Sequence, residues 1–492
     1  MSPIRPVTAG QRGTAAAGDG GRPTASVRWA LSALSLSMLL SSLGTSIANV
    51  GLPTLAEAFS ASFQQVQWIV LSYLLAVTTL IVGVGRLGDL IGRRRLLLGG
   101  ILLFTVASVL CGLAPSLWLL IAARAAQGLG AAVMMALTMA FVGETVPQAR
   151  TGRAMGLLAT MSAIGTALGP SLGGVLIAGP GWRALFLVNA PLGVLTLVLA
   201  LRHLPADRER EQEQGPAKAG RARFDLVGTL LLALALGAYA LAMTVGRGGS
   251  GVLNAALLAG AALGVALFVR AQSRAASPLI RPATFRDPAL SASLVMSTLV
   301  STVMMATLVV GPFYLSRALG LGEALVGLVL SAGPLVAALT GVPAGRLADR
   351  FGAPRATVAG LVAMAVGTVV LSMASGTPGA AGYLVPVVVV TAGYAVFQTA
   401  NNTAVMTDVA PDRRGVTSGL LNLSRNLGLI TGTSVMGAVF ALGSGTTDVV
   451  TAPSAAVATG MRVTFAVAAV LVLVALAIAG GSRALARRTA GG

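Results

Sequence analysis

The sequence is poor in the residues from which catalytic and metal sites are built. Its 492 residues include one cysteine, Cys111, and one histidine, His203. A single cysteine within an apolar run excludes an intrachain disulfide and a thiolate metal cluster. A single histidine argues against a His-rich metal site or a Ser-His-Asp triad. We therefore predict that the protein is not an enzyme and that it holds neither a metal nor a cofactor.

Charged residues are scarce as well, at 10% of the chain, whereas an ordinary soluble protein has about 25%. Hydrophobic residues make up 55%, and the mean hydropathy is +0.85. So few charges cannot cover the surface of a soluble protein of this length. The composition therefore predicts an integral membrane protein.

The charge that is present is mostly basic, with 34 Lys and Arg residues against 15 Asp and Glu residues and a formal net charge of +19. Such a balance is typical of nucleic-acid-binding proteins when the basic residues share one face. Here they stand in short clusters between long apolar runs. No nucleic-acid partner is therefore expected.

The apolar runs indicate an all-α fold. A bilayer core about 30 Å thick needs about 20 helical residues, whereas a transmembrane barrel shows segments of about ten residues with alternating polarity. The chain has runs of the first kind. The fourteen predicted spans are residues 29–50, 66–86, 96–114, 117–140, 154–178, 183–201, 224–245, 252–270, 289–312, 325–345, 355–375, 382–405, 416–441 and 460–480.

The basic clusters predict the orientation of these spans. An even number of spans places both termini on one side of the membrane, and 28 of the 34 Lys and Arg residues fall on that side. Short loops rich in Lys and Arg stay in the cytoplasm, so we expect both termini to be cytoplasmic and the protein to span the inner cell membrane. Residues 1–28 lack a separate apolar core with a cleavage site, which indicates a basic tail and not a signal peptide.

Two stretches of the chain repeat each other at a distance of 260 residues. Residues 85–93 read Gly-Arg-Leu-Gly-Asp-Leu-Ile-Gly-Arg, and residues 345–352 read Gly-Arg-Leu-Ala-Asp-Arg-Phe-Gly. A consistent offset indicates two duplicated six-span halves, which in secondary transporters hold the substrate between them. The predicted division is a basic tail 1–28, a six-helix bundle 29–201, a cytoplasmic linker 202–223, two inserted helices 224–270, a cytoplasmic loop 271–288, a six-helix bundle 289–480 and a tail 481–492.

The repeated segment resembles the loop motif between spans 2 and 3 of the major facilitator superfamily, and the chain resembles the fourteen-span drug:proton antiporters within it. The resemblance implies a major facilitator fold of two six-helix bundles plus two inserted helices. It also implies that a carboxylate latches the two halves on the cytoplasmic side. The residues that match this latch are Gly85, Asp89, Gly92, Arg93 and, in the second copy, Asp349. A solvated basic loop with an incidental acid is the alternative.

Arg124 lies well inside span 4, where a charge costs at least about 2.5 kcal/mol. Together with Gln127 it belongs to a segment, residues 124–130, that resembles the superfamily's span-4 motif, whose arginine faces the central cavity. The resemblance implies a cavity or coupling role for these two residues. Snorkelling of the arginine to the outer interface is the alternative.

A glycine-rich segment in span 5 is the most specific signal in the chain. Gly165, Gly169 and Gly173 are spaced by four, so they share one helix face and let a neighbouring helix approach closely. Pro170 removes a backbone hydrogen bond and bends the helix. With Gly174, these residues resemble the antiporter motif of the superfamily, which implies export. Glycines that serve only in packing are the alternative.

Span 1 departs from the pattern of the fourteen-span antiporters. That group usually carries an aspartate just before a Thr-x-x-x-Asn-x-x-x-Pro pattern, which runs here from Thr45 to Pro53, and Gly44 stands in place of the acid. None of the 15 acidic residues lies deep in a span, whereas Arg124 and Arg425 lie within spans. The usual span-1 carboxylate for proton coupling is therefore missing from this chain. A buried positive charge without a carboxylate favours neutral, zwitterionic or anionic substrates.

The predicted function is secondary active export of amphipathic small molecules, such as drugs, antibiotics or natural products, by alternating access coupled to protons. Amides in a membrane need partners, so Gln398, Asn401 and Asn402 of span 12 are predicted, with Arg425, to lie at the cavity. Adaptable and aromatic side chains are further cavity candidates, with core packing as the alternative: Met134, Met135, Met304, Met305, Phe313, Tyr394 and Phe397.

The expected partners are small amphipathic substrates, protons and the lipid bilayer, and we expect a monomer. An uptake carrier or uniporter for a metabolite on the same fold is the alternative function. A membrane enzyme or a sensor is less favoured, because the spans lack clustered acids, histidines or a nucleophile with a base.

Overall fold

The computed structural model describes residues 25–81, 83–145, 151–204, 225–245, 251–275, 285–373, 379–407, 414–445 and 452–490. These residues are almost entirely helical. Helices are expected in this chain because a bilayer offers no water to the backbone, so each N–H and C=O group must be satisfied within its own segment. The all-α membrane fold that the sequence predicts is confirmed.

The membrane helices are numbered α1 to α14 in chain order. Within the described residues, thirteen are long and apolar enough to cross a membrane, and the apolar stretch of α7, Leu226–Ala242, is shorter. They are α1 (Ala25–Val50), α2 (Phe63–Ile81), α3 (Arg93–Leu113), α4 (Leu117–Thr145), α5 (Thr151–Ala178), α6 (Ala184–His203), α7 (Leu226–Val245), α8 (Gly251–Arg274), α9 (Pro288–Phe313), α10 (Glu323–Phe351), α11 (Ala353–Ser372), α12 (Gly379–Thr407), α13 (Arg414–Thr431, continued by Gly432–Met436 and Gly437–Gly443) and α14 (Ser454–Ala490).

Two shorter helices lie between membrane helices of the first half. Leu52–Ala58 follows α1, and Val84–Ile91 lies between α2 and α3, where the sequence indicated a loop. Gly92 ends the latter helix with a φ of 100°, which glycine adopts without strain. Gly352, at the equivalent position of the repeat, has a φ of 83° and separates α10 from α11. The two copies of the repeated segment therefore end in the same kind of glycine turn.

The first and fifth helices of each half pack closely together. α1 lies against α5, and α9 lies against α13. The hydroxyl of Ser46 in α1 donates to the carbonyl of Gly165 at 3.3 Å, and that of Thr302 in α9 donates to the carbonyl of Gly428 at 3.1 Å. Small residues bring the backbones together, as is usual for helices that associate in lipid. The two halves are thus built in the same way.

The inserted helices α7 and α8 pack against each other and lie beside the junction of the two halves. α7 contacts α2 of the first half and α13 of the second. Asp225 accepts from the backbone N–H of Gly228 at 2.7 Å and from Gln272 of α8 at 2.6 Å, which fixes the start of α7 against the end of α8. α7 therefore covers the seam between α2 and α13, and α8 packs on α7.

Among the residues described in the second half, two segments are π-helical. Tyr314–Ala318 continues α9, and Gly432–Met436 lies within α13. Such segments are rare and are found frequently at functional sites. The first lies at the distal end of the molecule, which we define as the end opposite to the start of α1 and the end of α14.

Several predicted segments lie largely outside the described residues. They include most of the tail 1–28, the linker 202–223 and much of the loop 271–288. The domain boundaries given above therefore stay predictions.

Candidate functional site

The glycine face of α5 is pressed against α1. A Cβ atom at Gly169 would overlap the hydroxyl oxygen of Ser46 and lie 2.7 Å from its Cβ atom. A Cβ atom at Gly165 would overlap the carbonyl oxygen of Leu39, and one at Gly173 would also meet α1. The spacing of four predicted one shared face, and the structure brings all three glycines together on it.

Gly174 faces a different neighbour, α10 of the second half. A Cβ atom there would lie 2.6 Å from the carbonyl oxygen of Glu323 and 3.0 Å from the Cα atom of Gly327. A Cβ atom at Gly327 would in turn overlap the carbonyl oxygen of Pro170. The motif in α5 therefore packs within the first half on one side and joins the two halves on the other.

Arg124 in α4 is the largest fully buried side chain among the described residues. Its Nε atom donates to the carbonyl of Ile69 at 3.0 Å, and its Nη1 atom donates to the carbonyl of Gly44 at 3.0 Å and to Oε1 of Gln127 at 2.6 Å. Gln127 donates onward to the hydroxyl of Ser108 at 2.7 Å. One guanidinium group thus ties α4 to α1 and α2, and its amide partner extends the network to α3.

The charge of Arg124 is stabilised by neutral groups. Its guanidinium carbon lies 4.3 Å from the centroid of the Tyr73 ring and 5.9 Å from that of Phe186, both suitable for cation–π attraction. Its Nη2 atom has no hydrogen-bond partner among the described residues. In this structure Arg124 is enclosed within the first half, with none of its surface exposed.

The polar residues predicted for the second half are less deeply enclosed than Arg124, with one exception. Gln398 and Arg425 are half-buried, and Gln398 donates to Asn402 at 3.4 Å. The exception is Asn401, which is 1% exposed and donates to the carbonyl of Ser293 in α9 at 3.4 Å. Gln398 and Asn402 therefore contact each other within α12, whereas Asn401 joins α12 to α9.

The residues predicted to form the latch lie at the end of the molecule opposite to the distal end. Gly85 and Asp89 fall in the helix Val84–Ile91, but their side chains lie outside the described residues. Arg93 begins α3, directly after the turn at Gly92. Asp349 is exposed near the end of α10.

The predicted apolar cavity residues divide into two groups. Met134, Met305, Phe313 and Phe397 are fully packed in the apolar core, which favours the packing alternative for them. Met135, Met304 and Tyr394 are half-buried at the edge of that core.

An aromatic cluster joins the two halves at the distal end. Phe63, at the start of α2, meets Phe313 of α9 edge-on, with ring centroids 4.8 Å apart. It also meets Phe440 of α13 at 5.5 Å. All three side chains are fully buried. An ion pair between Glu57 and Arg317, one from each half, lies nearby at the surface. We call the three phenylalanines and this ion pair the distal gate.

A pocket of about 180 Å³ lies at the distal gate. Both halves line it, with Val50, Thr54 and Glu57 from the first and Arg317, Glu323 and Val326 from the second. The sequence patterns above gave no indication that Glu57 and Glu323 line the same pocket.

Gln67 is a further polar contact between the halves that the sequence patterns above did not single out. It lies in α2, is 1% exposed, and donates from Nε2 to the carbonyl of Thr433 in α13 at 3.0 Å. The signal that was available is an amide within an apolar helix, the same signal that drew attention to span 12.

The fold and these contacts define the class of the protein: a multi-pass helical membrane protein made of two similar halves that meet along α2, α5, α10 and α13. Comparison with known proteins then identifies the family. The model of the Major Facilitator Superfamily matches residues 34–433. The chain belongs to this superfamily, as its sequence motifs predicted.

Named relatives and a solved structure agree with this membership. The multidrug resistance protein Stp of Mycobacterium tuberculosis is 34% identical over 84% of this chain and 75% of its own length. The multidrug efflux pump LfrA of Mycolicibacterium smegmatis is 32% identical over 84% of this chain and 80% of its own length. A bacterial homologue of the human lysosomal transporter Spinster, solved in an inward-facing and occupied conformation, matches with a TM-score of 0.70 at 16% identity, covering 96% of this chain and 98% of that one. That structure supports the fold.

Proposed function

We propose that this protein exports amphipathic small molecules, such as drugs, antibiotics or natural products, by alternating access. The names of relatives that cover most of the chain, a multidrug resistance protein and a multidrug efflux pump, support export of this substrate class. The observation that carries the alternating-access part is the distal gate, where side chains from both halves close one end of the molecule. A transporter of two halves that closes one end at a time needs such a contact.

The distribution of basic residues supports an orientation with both termini in the cytoplasm and the protein in the inner cell membrane. The distal end then faces outward, and the structure represents a state that is closed to the outside. We propose that the protein works as a monomer, since each chain contains both halves and the seams between them.

Roles for the site residues follow from their positions. The glycines Gly165, Gly169 and Gly173 let α5 slide along α1 while Gly174 holds α5 against α10 at the outer side. Asp89 with Gly85, Gly92 and Arg93, and Asp349 in the second copy, are proposed to latch the halves on the cytoplasmic side when the distal gate opens. Gln398, Asn402 and Arg425 are proposed to contact substrate, because all three keep part of their surface exposed.

The position of Arg124 supports a coupling role more than direct substrate contact. Its guanidinium is enclosed and bonded to the carbonyls of α1 and α2, so a change in its partners would move both helices. Gln127 holds one of its nitrogens in place. Coupling to protons is part of the proposal, and Gly44 leaves the carboxylate that accepts the proton to be found among acids at the helix ends, such as Glu57.

Resistance measurements test the proposed export. The protein is expressed in an efflux-deficient strain, and growth is measured against a panel of cationic, neutral and anionic amphiphiles. Increased resistance to part of the panel, together with lower intracellular accumulation of those compounds, is expected. A well-expressed protein that raises resistance to no compound and instead increases accumulation would favour the alternative, an uptake carrier on the same fold.

A further inference from the structure

Gln67 makes a polar contact across the junction of the two halves. Its amide is buried, and its Nε2 atom donates to the carbonyl of Thr433 at 3.0 Å. A buried amide in an apolar bundle loses free energy unless its donors are satisfied. The partner that satisfies this donor belongs to the opposite half, so the bond exists only while α2 and α13 are in contact.

The acceptor of this bond lies in the π-helical segment Gly432–Met436. In a π-helical turn, backbone hydrogen bonds run from residue i to residue i+5, so the regular α-helical ladder is interrupted. The amide of Gln67 in the first half is therefore bonded to an irregular turn of the second half.

Gly437, directly after the π-helical segment, leaves room for the amide. A Cβ atom at this position would overlap the Nε2 atom of Gln67. Any other residue here would displace the Gln67 side chain or push α2 away from α13. Close packing at this point thus depends on the pair Gln67 and Gly437.

The same stretch of α13 also contacts two other parts of the molecule. A Cβ atom at Gly432 would lie 2.6 Å from the carbonyl oxygen of Thr302 in α9, so α9 fits closely against the start of the π-helical segment. The hydroxyl of Tyr239 in α7 donates to the hydroxyl of Thr431 at 3.3 Å. The first half, the second half and the inserted pair therefore meet at one short irregular stretch.

We propose that Gln67 is a positioning residue of transport: its bond to the π-helical segment of α13 holds the distal gate closed and must break each time the gate opens. This inference rests on the alternating access proposed above. It assigns the π-helical segment as the point on α13 at which the two halves separate. It also assigns a role to α7, which contacts the start of that segment through Tyr239 and Thr431.

Cysteine labelling tests the proposal without any transported substrate. Val326 is 2% exposed and lines the distal pocket, so Val326→Cys reports opening of the gate to a membrane-impermeant maleimide added from outside. Loss of one buried hydrogen bond by Gln67→Leu should raise the labelling rate at this position about 2- to 12-fold. The matched control is Gln64→Leu, the same substitution at a half-buried position of the same helix, which should leave the rate unchanged.

The native cysteine separates gate opening from general loosening. Cys111 is buried within the first half, and its labelling should stay at the level of the unsubstituted protein when the halves move as units. Equal labelling at position 326 in the Gln67→Leu and Gln64→Leu proteins would overturn the proposal. An equal rise at Cys111 would overturn it as well, because the effect would then be loss of the fold.

Two further variants keep the test decisive. If Gln67→Leu does not accumulate in the membrane, Gln67→Asn replaces it. Its side chain is one methylene shorter, so the amide should no longer reach Thr433 and the gate should open in the same way.

Gly437→Ala should also raise the labelling rate, and it should add nothing in a Gln67→Ala background. Additive effects would contradict the pairing of these two residues. A protein that fails the resistance panel but passes this test would refute the proposed substrate class and leave the gate intact.

Discussion

At the scale of single residues, Arg124 shows how a charge is held inside a membrane protein. Placing an ionised arginine at this depth costs at least about 2.5 kcal/mol unless partners compensate. The described partners are two backbone carbonyls, one amide and two aromatic rings, all of them neutral. Backbone carbonyls are fixed by their helices. The hydrogen bonds to Arg124 therefore also hold α1 and α2 in place relative to α4.

Gly44→Asp tests the effect of the missing span-1 acid. A Cβ atom at Gly44 would lie 3.2 Å from the Phe104 ring and 3.3 Å from the hydroxyl of Tyr73, so a carboxylate there would sit tightly in the network around Arg124. The new carboxylate would offset the buried positive charge, and a coupling energy of about 1.5 kcal/mol, the low end of values measured for close charge pairs, corresponds to about tenfold. We expect a shift of export toward cationic compounds by about tenfold and a stronger dependence on the pH gradient.

Paired accumulation assays with one dicationic and one anionic amphiphile measure this shift at several imposed pH gradients. The prediction is wrong if the unsubstituted protein already exports dications in exchange for protons and Gly44→Asp changes neither property. Coupling would then run through the carboxylates at the helix ends.

Gly169→Leu tests the contact between α5 and α1. A Cβ atom at Gly169 would already overlap the hydroxyl of Ser46, so a leucine must separate the two helices. We expect export to fall to the level of cells without the protein while the amount in the membrane stays near normal. Gly99→Leu is the matched control, since a Cβ atom at Gly99 in α3 has open space around it. Normal efflux from well-expressed Gly169→Leu protein would refute the antiporter-motif interpretation.

At the scale of helices, α5 and α13 occupy equivalent places but interrupt their regular structure differently. α5 contains Pro170, which cannot donate a backbone hydrogen bond. The counterpart in α13 has no proline, and its π-helical segment Gly432–Met436 falls at the equivalent stretch of the repeat. Both devices weaken the backbone ladder where the halves touch. Proline and π-helical turns are the usual causes of kinks in helices, so both halves carry such a feature at equivalent positions.

The helix Val84–Ile91 carries the acid of the proposed latch. Asp89→Asn keeps the size of the side chain and removes its charge, so a carboxylate that biases the equilibrium between two conformations should lose that effect. We expect a lower transport rate and a changed accessibility of cytoplasmic-side cysteine reporters. Asp349→Asn, the same change in the second copy, is the comparison. Unchanged labelling and unchanged transport in the Asp89→Asn protein would favour a solvated loop with an incidental acid.

At the scale of the whole molecule, the two halves are joined at the distal end by contacts of different strength. The phenylalanine cluster is fully buried and excludes water, whereas Glu57 and Arg317 are 58% and 32% exposed. An exposed ion pair contributes only about 0–1 kcal/mol and is screened by salt. The aromatic cluster therefore contributes most of the free energy that keeps the distal gate closed, and the ion pair contributes a smaller part.

Glu57→Gln measures how much the ion pair contributes to closing the distal gate. Losing an exposed ion pair should shift the equilibrium toward the state with an open distal gate by at most about fivefold, and the difference from the unsubstituted protein should shrink at high salt. The exchanged pair, Glu57→Arg with Arg317→Glu, should restore the original equilibrium. Distances between spin labels on the two halves at the distal end report the populations. A shift that the exchanged pair does not reverse would mean that the two residues act independently.

The sequence by itself determined the class of fold and the family. Hydropathy over about 20 residues, the offset of 260 and the glycine spacing in α5 are local properties, and a helix in lipid must satisfy its backbone locally. The helical fold followed from them, whereas the Major Facilitator Superfamily was indicated by the resemblance of the motif residues and is shown by the match over residues 34–433. The helix Val84–Ile91 was missed, since its polar residues interrupt the apolar pattern that marks a span.

Only the tertiary structure decided which residues meet. Gln67 and Thr433 are 366 positions apart, and Glu57 and Arg317 are 260 positions apart, so no local pattern links them. The same holds for Arg124, whose motif implied a cavity but whose partners on α1 and α2 enclose it. Helix formation depends on neighbours along the chain, whereas contacts between helices depend on how two bundles pack. Only the assembled bundles show which buried polar groups find partners and at which end the halves close.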